Sequence, residues 1–102
     1  MKKRFVVLIE SSTKEQNDSF LGWIESENIG WFHWFQNTWL LSNPRGHLSA
    51  SDIRSQVKQA YGSANTLILE LQGTNDTWSG FGPNTEQKDM FKWVKRNWNG
   101  DT

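Results

Sequence analysis

A strongly aromatic stretch, residues 31–41, constrains the fold of this chain more than any other segment. It reads WFHWFQNTWLL, with three tryptophans, one histidine and no Lys, Arg, Asp or Glu. Such bulky aromatic side chains favour the pleated surface of a β-strand over a helix. In a strand, Trp31 and Trp39 would lie on one face and Phe32 and Leu40 on the other. Both faces are largely apolar, so we expect a central strand that is covered on both sides.

Length and composition limit the class of protein. With 102 residues the chain predicts a single domain, residues 1–102, and its 14% aromatic content means that rings supply much of the core. The absence of cysteine excludes disulfides, thiolate catalysis and cysteine-based zinc sites. The formal net charge is zero, whereas a DNA-binding domain usually has an excess of positive charge. No apolar segment has the length of a signal peptide core or a membrane span, which predicts a cytoplasmic location and no membrane partner.

The first part of the chain predicts a strand followed by a helix. Residues 5–9 form a short apolar run that is typical of a buried strand. Ser12 and Glu15 have the spacing of a capping box, so we expect a helix that begins after Ser12. Phe20 and Ile24 lie on the apolar stripe of this helix.

A second helix and another strand follow the aromatic segment. Either Ser49 or Ser51 is expected to begin the helix, which has Ile53 and Val57 on its apolar stripe and ends at Gly62. The next strand, residues 66–71, alternates its side chains between two faces. These faces are Leu67, Leu69 and Leu71 on one side and Ile68 and Glu70 on the other.

The last third combines a loop and a helix. Residues 72–84 are rich in Gly, Thr and Asn but contain Trp78 and Phe81, which indicates an ordered loop that packs on the domain. A final helix is expected to begin after Asn84 or Thr85. Its apolar stripe is Met90, Phe91, Val94 and Trp98.

The order of these elements predicts an α+β fold. Two split βαβ units indicate a ferredoxin-like sandwich, with an antiparallel sheet and helices packed mainly on one face. A fourth strand is missing from this count. Either the aromatic segment bends into a hairpin, or a short strand lies within residues 72–81. An incomplete sheet has an open edge, and an open edge favours a homodimer.

Glu10 and His33 are the candidate catalytic residues. Glu10 follows the first strand and precedes a helix N-terminus, so its carboxylate could hold a divalent metal or activate water. The alternative for Glu10 is a solvated residue at the end of a strand. His33 could act as a general base if Glu10 lies on an adjacent strand. The alternative for His33 is a structural histidine that is hydrogen-bonded to the backbone.

A basic face on the last helix is the candidate nucleic-acid-binding surface. Its four residues have helical spacing, and the N-terminal residues Lys2, Lys3 and Arg4 could extend them into a phosphate-binding patch. The alternative is a solvated helix face whose cations favour the helix dipole. Among the tryptophans, Trp78 is the first candidate for a platform on which bases stack. The helix residues are Lys88, Lys92, Lys95 and Arg96.

Residues 30–40, which read GWFHWFQNTWL, resemble the SinR-like family of small bacterial proteins. That family has a Trp-Trp-His-Tyr-Leu-x-Ser-Thr-Trp-Leu-like segment and is distantly similar to CRISPR-associated protein two. His33 and the Thr-Trp-Leu at 38–40 match this segment. The resemblance implies a ferredoxin-like fold and a homodimer.

The same resemblance implies a role for the end of the first strand. The family's first strand usually ends in Tyr-Asp, and related CRISPR proteins use such an aspartate to hold a metal for phosphodiester cleavage. Here the strand ends in Ile9 and Glu10, whose side chain is one methylene longer. The resemblance therefore supports the fold and the dimer more than it supports catalysis.

Three functional hypotheses follow from the sequence. The first is a small homodimeric binding module that contacts nucleic acid or nucleotide ligands. The second is a metal-dependent nuclease in which Glu10 is a ligand and His33 assists. The third is a protein-interaction or inhibitor module of phage or mobile-element origin, to which the neutral net charge is better suited.

Overall fold

The computed structural model describes residues 2–71 and 90–97. The elements are β1 (Lys3–Ile9), α1 (Lys14–Ser26), β2 (Gly30–Phe35), β3 (Thr38–Asn43), α2 (Ala50–Tyr61), β4 (Thr66–Leu71) and α3 (Met90–Asn97). The four strands form one antiparallel sheet in the order β2-β3-β1-β4. The two strands that α1 connects have β3 between them, and the two that α2 connects have β1 between them. The α+β class and the antiparallel sheet are confirmed, and the strand order is compatible with the ferredoxin-like prediction.

The aromatic segment forms a hairpin, so the prediction of one central strand is wrong. A turn at Gln36 and Asn37 separates β2 from β3. These are polar residues, and asparagine is well suited to turns. The hairpin supplies the fourth strand. It pairs Trp31 with Leu41, and the register shifts once, just after His33.

The two faces of the hairpin agree with the sequence prediction. Because each paired residue shares a face with its partner, Trp31 and Trp39 lie on the same face although they belong to different strands. Phe32 and Leu40 pair on the opposite face. The turn and the register shift together keep the side chains of β2 and β3 on the faces predicted for one continuous strand.

The first helix begins one residue later than predicted. Thr13 is the N-cap, and its hydroxyl accepts from the Gln16 backbone N–H while the Gln16 side chain accepts from the Thr13 N–H. The capping box is therefore displaced by one position from Ser12 and Glu15. The Ser12 hydroxyl bonds to Asn37 instead. Serine is the slightly better N-cap of the two, and this tertiary contact engages Ser12 elsewhere and leaves Thr13 as the cap.

The second helix matches its prediction. Ser49 is the N-cap and forms a capping box with Asp52. Gly62 ends the helix with a φ of 67°, a left-handed conformation that glycine adopts without strain. The predicted stripe of Ile53 and Val57 is fully buried.

Helices cover both faces of the sheet. α1 and α2 bury the larger core, to which Phe5, Phe20 and Trp39 contribute. On the opposite face Val94 of α3 joins Phe32 in a smaller cluster. Two of the three described helices thus share one face, as predicted. None of the described helices has the length and apolar character of a membrane span.

Several sequence predictions fall where the structure gives no description. Trp78, Phe81, Asn84, Thr85, Lys88 and Trp98 lie outside the described residues. α3 includes Met90, Phe91 and Lys95, but their side chains are likewise not described.

Candidate functional site

Glu10 holds the chain that leads into β4. Its carboxylate Oε1 accepts the backbone N–H of Asn65 at 3.0 Å, and its own backbone N–H donates to the Asn65 carbonyl at 2.8 Å. The side chain itself is exposed. Glu10 therefore has a structural role in joining the end of β1 to the start of β4.

His33 is oriented by a backbone carbonyl and by an indole ring. Its Nε2 lies 2.8 Å from the Gln36 carbonyl oxygen. Because a carbonyl only accepts, Nε2 must carry the hydrogen, and Nδ1 is then the acceptor of a neutral ring. The imidazole stacks on Trp39 with 4.0 Å between ring centroids and 6° between ring planes. This geometry is that of a histidine fixed at the edge of a core.

Glu10 and His33 do not lie on adjacent strands, which corrects the arrangement expected from the sequence. β3 lies between β1 and β2 in the sheet. The hydrogen bonds described above direct the two side chains to different partners, Asn65 and the Gln36 carbonyl. A catalytic role for either residue stays a prediction.

A network of polar side chains connects both large helices to the hairpin turn. The Tyr61 hydroxyl donates to Asn17 Oδ1 at 2.6 Å and accepts from Trp39 Nε1 at 3.2 Å. Asn17 Nδ2 donates to the Ser12 hydroxyl at 3.2 Å, which in turn donates to Asn37 Oδ1 at 2.5 Å. Burial raises the pKa of Tyr61 to about 12, while its bond to Trp39 acts in the opposite direction. We call these five residues the polar network.

The polar network was not predicted from sequence. Its members are spread from residue 12 to residue 61, and no local spacing relates them. One available signal was that Tyr61 is the only tyrosine in the chain and lies on the apolar stripe of α2. A hydroxyl on a buried stripe needs a hydrogen-bond partner, but the sequence does not show which one.

A second polar cluster closes the loop after β3. Asn43 is fully buried, and its Oδ1 accepts the Leu48 backbone N–H at 3.0 Å. Its Nδ2 therefore faces His47 Nδ1 at 3.2 Å, which makes that nitrogen an acceptor. His47 Nε2 then carries the hydrogen and donates it to Glu27 Oε1 at 3.0 Å. His47 therefore connects this loop to Glu27 at the end of α1.

The described basic residues differ in their surroundings, and Lys3 and Arg4 contact backbone carbonyls. Lys92 and Arg96 are exposed and one turn apart on α3, as predicted. Lys3 instead donates to the Leu48 carbonyl at 3.0 Å, and Leu48 belongs to the core under α1 and α2. Arg4 is 5% exposed, and its guanidinium lies 3.5 Å from the Leu71 carbonyl. The N-terminal residues Lys3 and Arg4 therefore do not extend the α3 surface in the way expected.

An exposed apolar patch lies at one edge of the sheet. Leu67 and Leu69 of β4 are 53% and 44% exposed, and Leu8 of the neighbouring β1 is 37% exposed. Leu8 pairs directly with Leu67, so the three side chains share a face. We call them the leucine face. Their alternation was visible in the sequence, but their exposure was not.

Shallow depressions border β4. One, of about 470 Å³, lies between β4 and the start of α2 and is lined by Arg54, Thr66 and Ile68 among others. Another, of about 330 Å³, lies beside Glu10 and is lined by Leu8 and Leu67 among others. Both depressions border β4, which is an edge strand among the strands that the structure describes.

The described residues of a single chain do not fit a divalent metal. Across residues 2–71 and 90–97, no three His, Asp, Glu or Cys side chains are close enough to hold an ion. Glu10 contributes one carboxylate, and one of its oxygens already accepts the Asn65 N–H.

Substituting Glu10 separates its structural role from a role as a metal ligand. Glu10→Gln keeps an oxygen that can accept the Asn65 N–H, so the free energy of unfolding should stay within about 0.5 kcal/mol of the parent chain. Glu10→Ala removes that acceptor and should cost about 1 kcal/mol. Urea denaturation measures both values. Equal losses in the two variants would show that the hydrogen bond to Asn65 is not what Glu10 contributes.

The chain was compared with family models, with curated proteins and with solved structures. No family model, no curated protein and no solved structure matches it.

Proposed function

We propose that this chain is a ferredoxin-like binding module that works as a homodimer, with the leucine face and the β4 edge as its contact surface. The observation that carries the proposal is the clustering of Leu8, Leu67 and Leu69 at β4, an edge strand of the sheet that the described residues form. Single exposed leucines are common on protein surfaces, but a contiguous apolar patch is typical of an interaction site. Burial of this area would contribute roughly 25 cal/mol per Å².

The two edges of the sheet differ in how well they are protected. β2 has a register shift near its end. Shifts of this kind discourage pairing with another chain. β4 pairs in regular register along its length and contains no lysine, arginine or proline. The β4 edge is therefore the better template for a partner strand.

Sedimentation velocity over a wide concentration series tests the homodimer. We expect the full chain to shift from monomer to dimer as its concentration rises. Replacing Leu67 and Leu69 together by lysine should keep it monomeric throughout, because two charges would enter the contact. The matched control is Phe35→Lys, since Phe35 is 61% exposed but lies on the opposite edge strand. A parent chain that stays monomeric, or a double variant that still dimerises, would contradict the proposal.

A nucleic-acid ligand is the second candidate, and the exposed pair of Lys92 and Arg96 favours it. Lys88 and Lys95, predicted to lie on the same helix face, would add to this surface, and Trp78 would provide stacking. Each phosphate contact steepens the salt dependence of binding. Tryptophan fluorescence titrations with single-stranded and duplex oligonucleotides at low and high salt test this candidate. Flat titrations with both would exclude it.

The resemblance to the SinR-like family supports the same fold and the same oligomeric state. We also propose that the protein is cytoplasmic. The nuclease hypothesis is weaker because Glu10 is already committed to Asn65. The interaction or inhibitor hypothesis shares the β4 surface with the homodimer. It differs only in the identity of the bound chain.

A further inference from the structure

We propose that β4 pairs antiparallel with β4 of a second copy about a twofold axis at Ile68, and that Arg54 of each copy then meets Glu70 of the partner subunit. This inference rests on the homodimer proposed above and adds its register and its charged contacts. The sheet would continue across the interface from one copy to the other.

The faces of β4 restrict the possible registers. Side chains alternate along the strand, with Leu67 and Leu69 on the leucine face and Ile68 and Glu70 on the face that α2 covers. Residues that pair across antiparallel strands share a face. A continuous sheet with α2 on the same side in both copies therefore pairs odd positions with odd and even with even. In a symmetric pair, the registers that use most of β4 are centred on Ile68 or on Leu69.

The side chains favour the register centred on Ile68. In the register centred on Leu69, each Ile68 would face Glu70 of the partner subunit, which places a carboxylate against an aliphatic chain. In the register centred on Ile68, Leu67 of each copy lies opposite Leu69 of the partner subunit, and Ile68 lies opposite Ile68 of the partner subunit. Glu70 then lies opposite Thr66, whose hydroxyl can donate to the carboxylate.

Arg54 adds charge complementarity to this register. It is exposed on α2 and lines the same depression as Thr66 and Ile68. Directly paired residues of antiparallel strands have Cβ atoms about 4.5–5.5 Å apart, so Glu70 of the partner subunit would lie beside the side chains that border Arg54. The twofold axis generates this contact twice. Surface ion pairs contribute little each, so these pairs select the register while the leucines supply most of the affinity.

Charge reversal tests the register in the full-length chain. Arg54→Glu and Glu70→Arg each place like charges together at both symmetric contacts, and we expect each to weaken dimerisation roughly tenfold. The double variant restores opposite charges with the positions exchanged and should dimerise close to the parent chain. Lys58→Glu is the matched control, since Lys58 is exposed on α2 but is not among the residues that line the depression. Sedimentation equilibrium measures the dissociation constants, and far-ultraviolet circular dichroism checks that each variant is folded.

The outcomes separate this inference from the proposal beneath it. Recovery of affinity in the double variant supports the register, because two independent defects in folding would not cancel. If the lysine substitutions at 67 and 69 abolish the dimer but neither charge reversal affects it, the register is wrong. The homodimer itself is then still supported. A parent chain that is monomeric at every concentration overturns both.

Discussion

Replacing Trp39 by alanine is expected to lower the free energy of unfolding by about 3–5 kcal/mol. Trp39 is 1% exposed, and its ring packs edge-on against Phe20 at 5.4 Å between centroids. It also supports the stacked His33 and donates to the Tyr61 hydroxyl. The substitution therefore opens a large cavity and removes one member of the polar network. For a small domain with a total stability of about 5–15 kcal/mol, this loss is severe.

Trp31→Ala is the matched control for this prediction. Trp31 lies on the same face of the hairpin and packs against Trp39 at 5.7 Å, but it is only partly buried. We expect a loss of less than half that of Trp39→Ala, since the part of the ring already in contact with solvent contributes little. Urea denaturation followed by circular dichroism measures both. Equal losses would mean that Trp39 is not the centre of the core.

Tyr61 is expected to ionise about two pH units above an unfolded tyrosine, with a midpoint near 12 instead of 10. Burial of the phenol disfavours its charged form, and its hydroxyl donates to Asn17, which ionisation would prevent. Below pH 10 both folded and unfolded states carry the neutral phenol, so stability does not change through this group. Between pH 10 and 12 only the unfolded state ionises, so the free energy of unfolding falls by up to about 2–3 kcal/mol.

The titration can be followed directly because Tyr61 is the only tyrosine in the chain. Tyrosinate absorbance should rise near pH 12 in the folded protein and near pH 10 in urea. Tyr61→Phe is the control for other groups that titrate in this range. It should be less stable at neutral pH, because Asn17 and Trp39 lose their partner, but it should lack the additional loss above pH 10. A midpoint near 10 in the folded protein would contradict the buried hydroxyl.

Local patterns were enough to predict much of the fold. The strand at 66–71 was placed at its observed bounds because alternating aliphatic residues are a local signal. The end of α2 was placed correctly because Gly62 follows the last residue of the apolar stripe. The main error was the prediction of a single central strand at residues 31–41, although a hairpin there was one of the two alternatives for the fourth strand. The turn of this hairpin, Gln36 and Asn37, contains neither of the residues, glycine and proline, that most strongly mark a turn.

The candidate site was less predictable because it depends on tertiary contacts. Ser12 and Thr13 are adjacent and both favour the N-cap position, and the bond from Ser12 to Asn37 in the hairpin turn leaves Thr13 as the cap of α1. The separation of Glu10 from His33 follows from the strand order, which no local pattern reveals. The exposure of Leu67 depends in the same way on β4 being an edge strand.

Amide hydrogen exchange within β4 tests most directly the claim that this edge is where the chain associates with itself. Alternate amides of β4 bond to β1 and should exchange slowly at any concentration, whereas the others point away from the sheet. If β4 pairs with a second copy, those outward amides become protected as the protein concentration rises, and the Leu67→Lys, Leu69→Lys variant loses this protection. Outward amides that exchange rapidly at every concentration, with the inward amides still protected, would contradict the account.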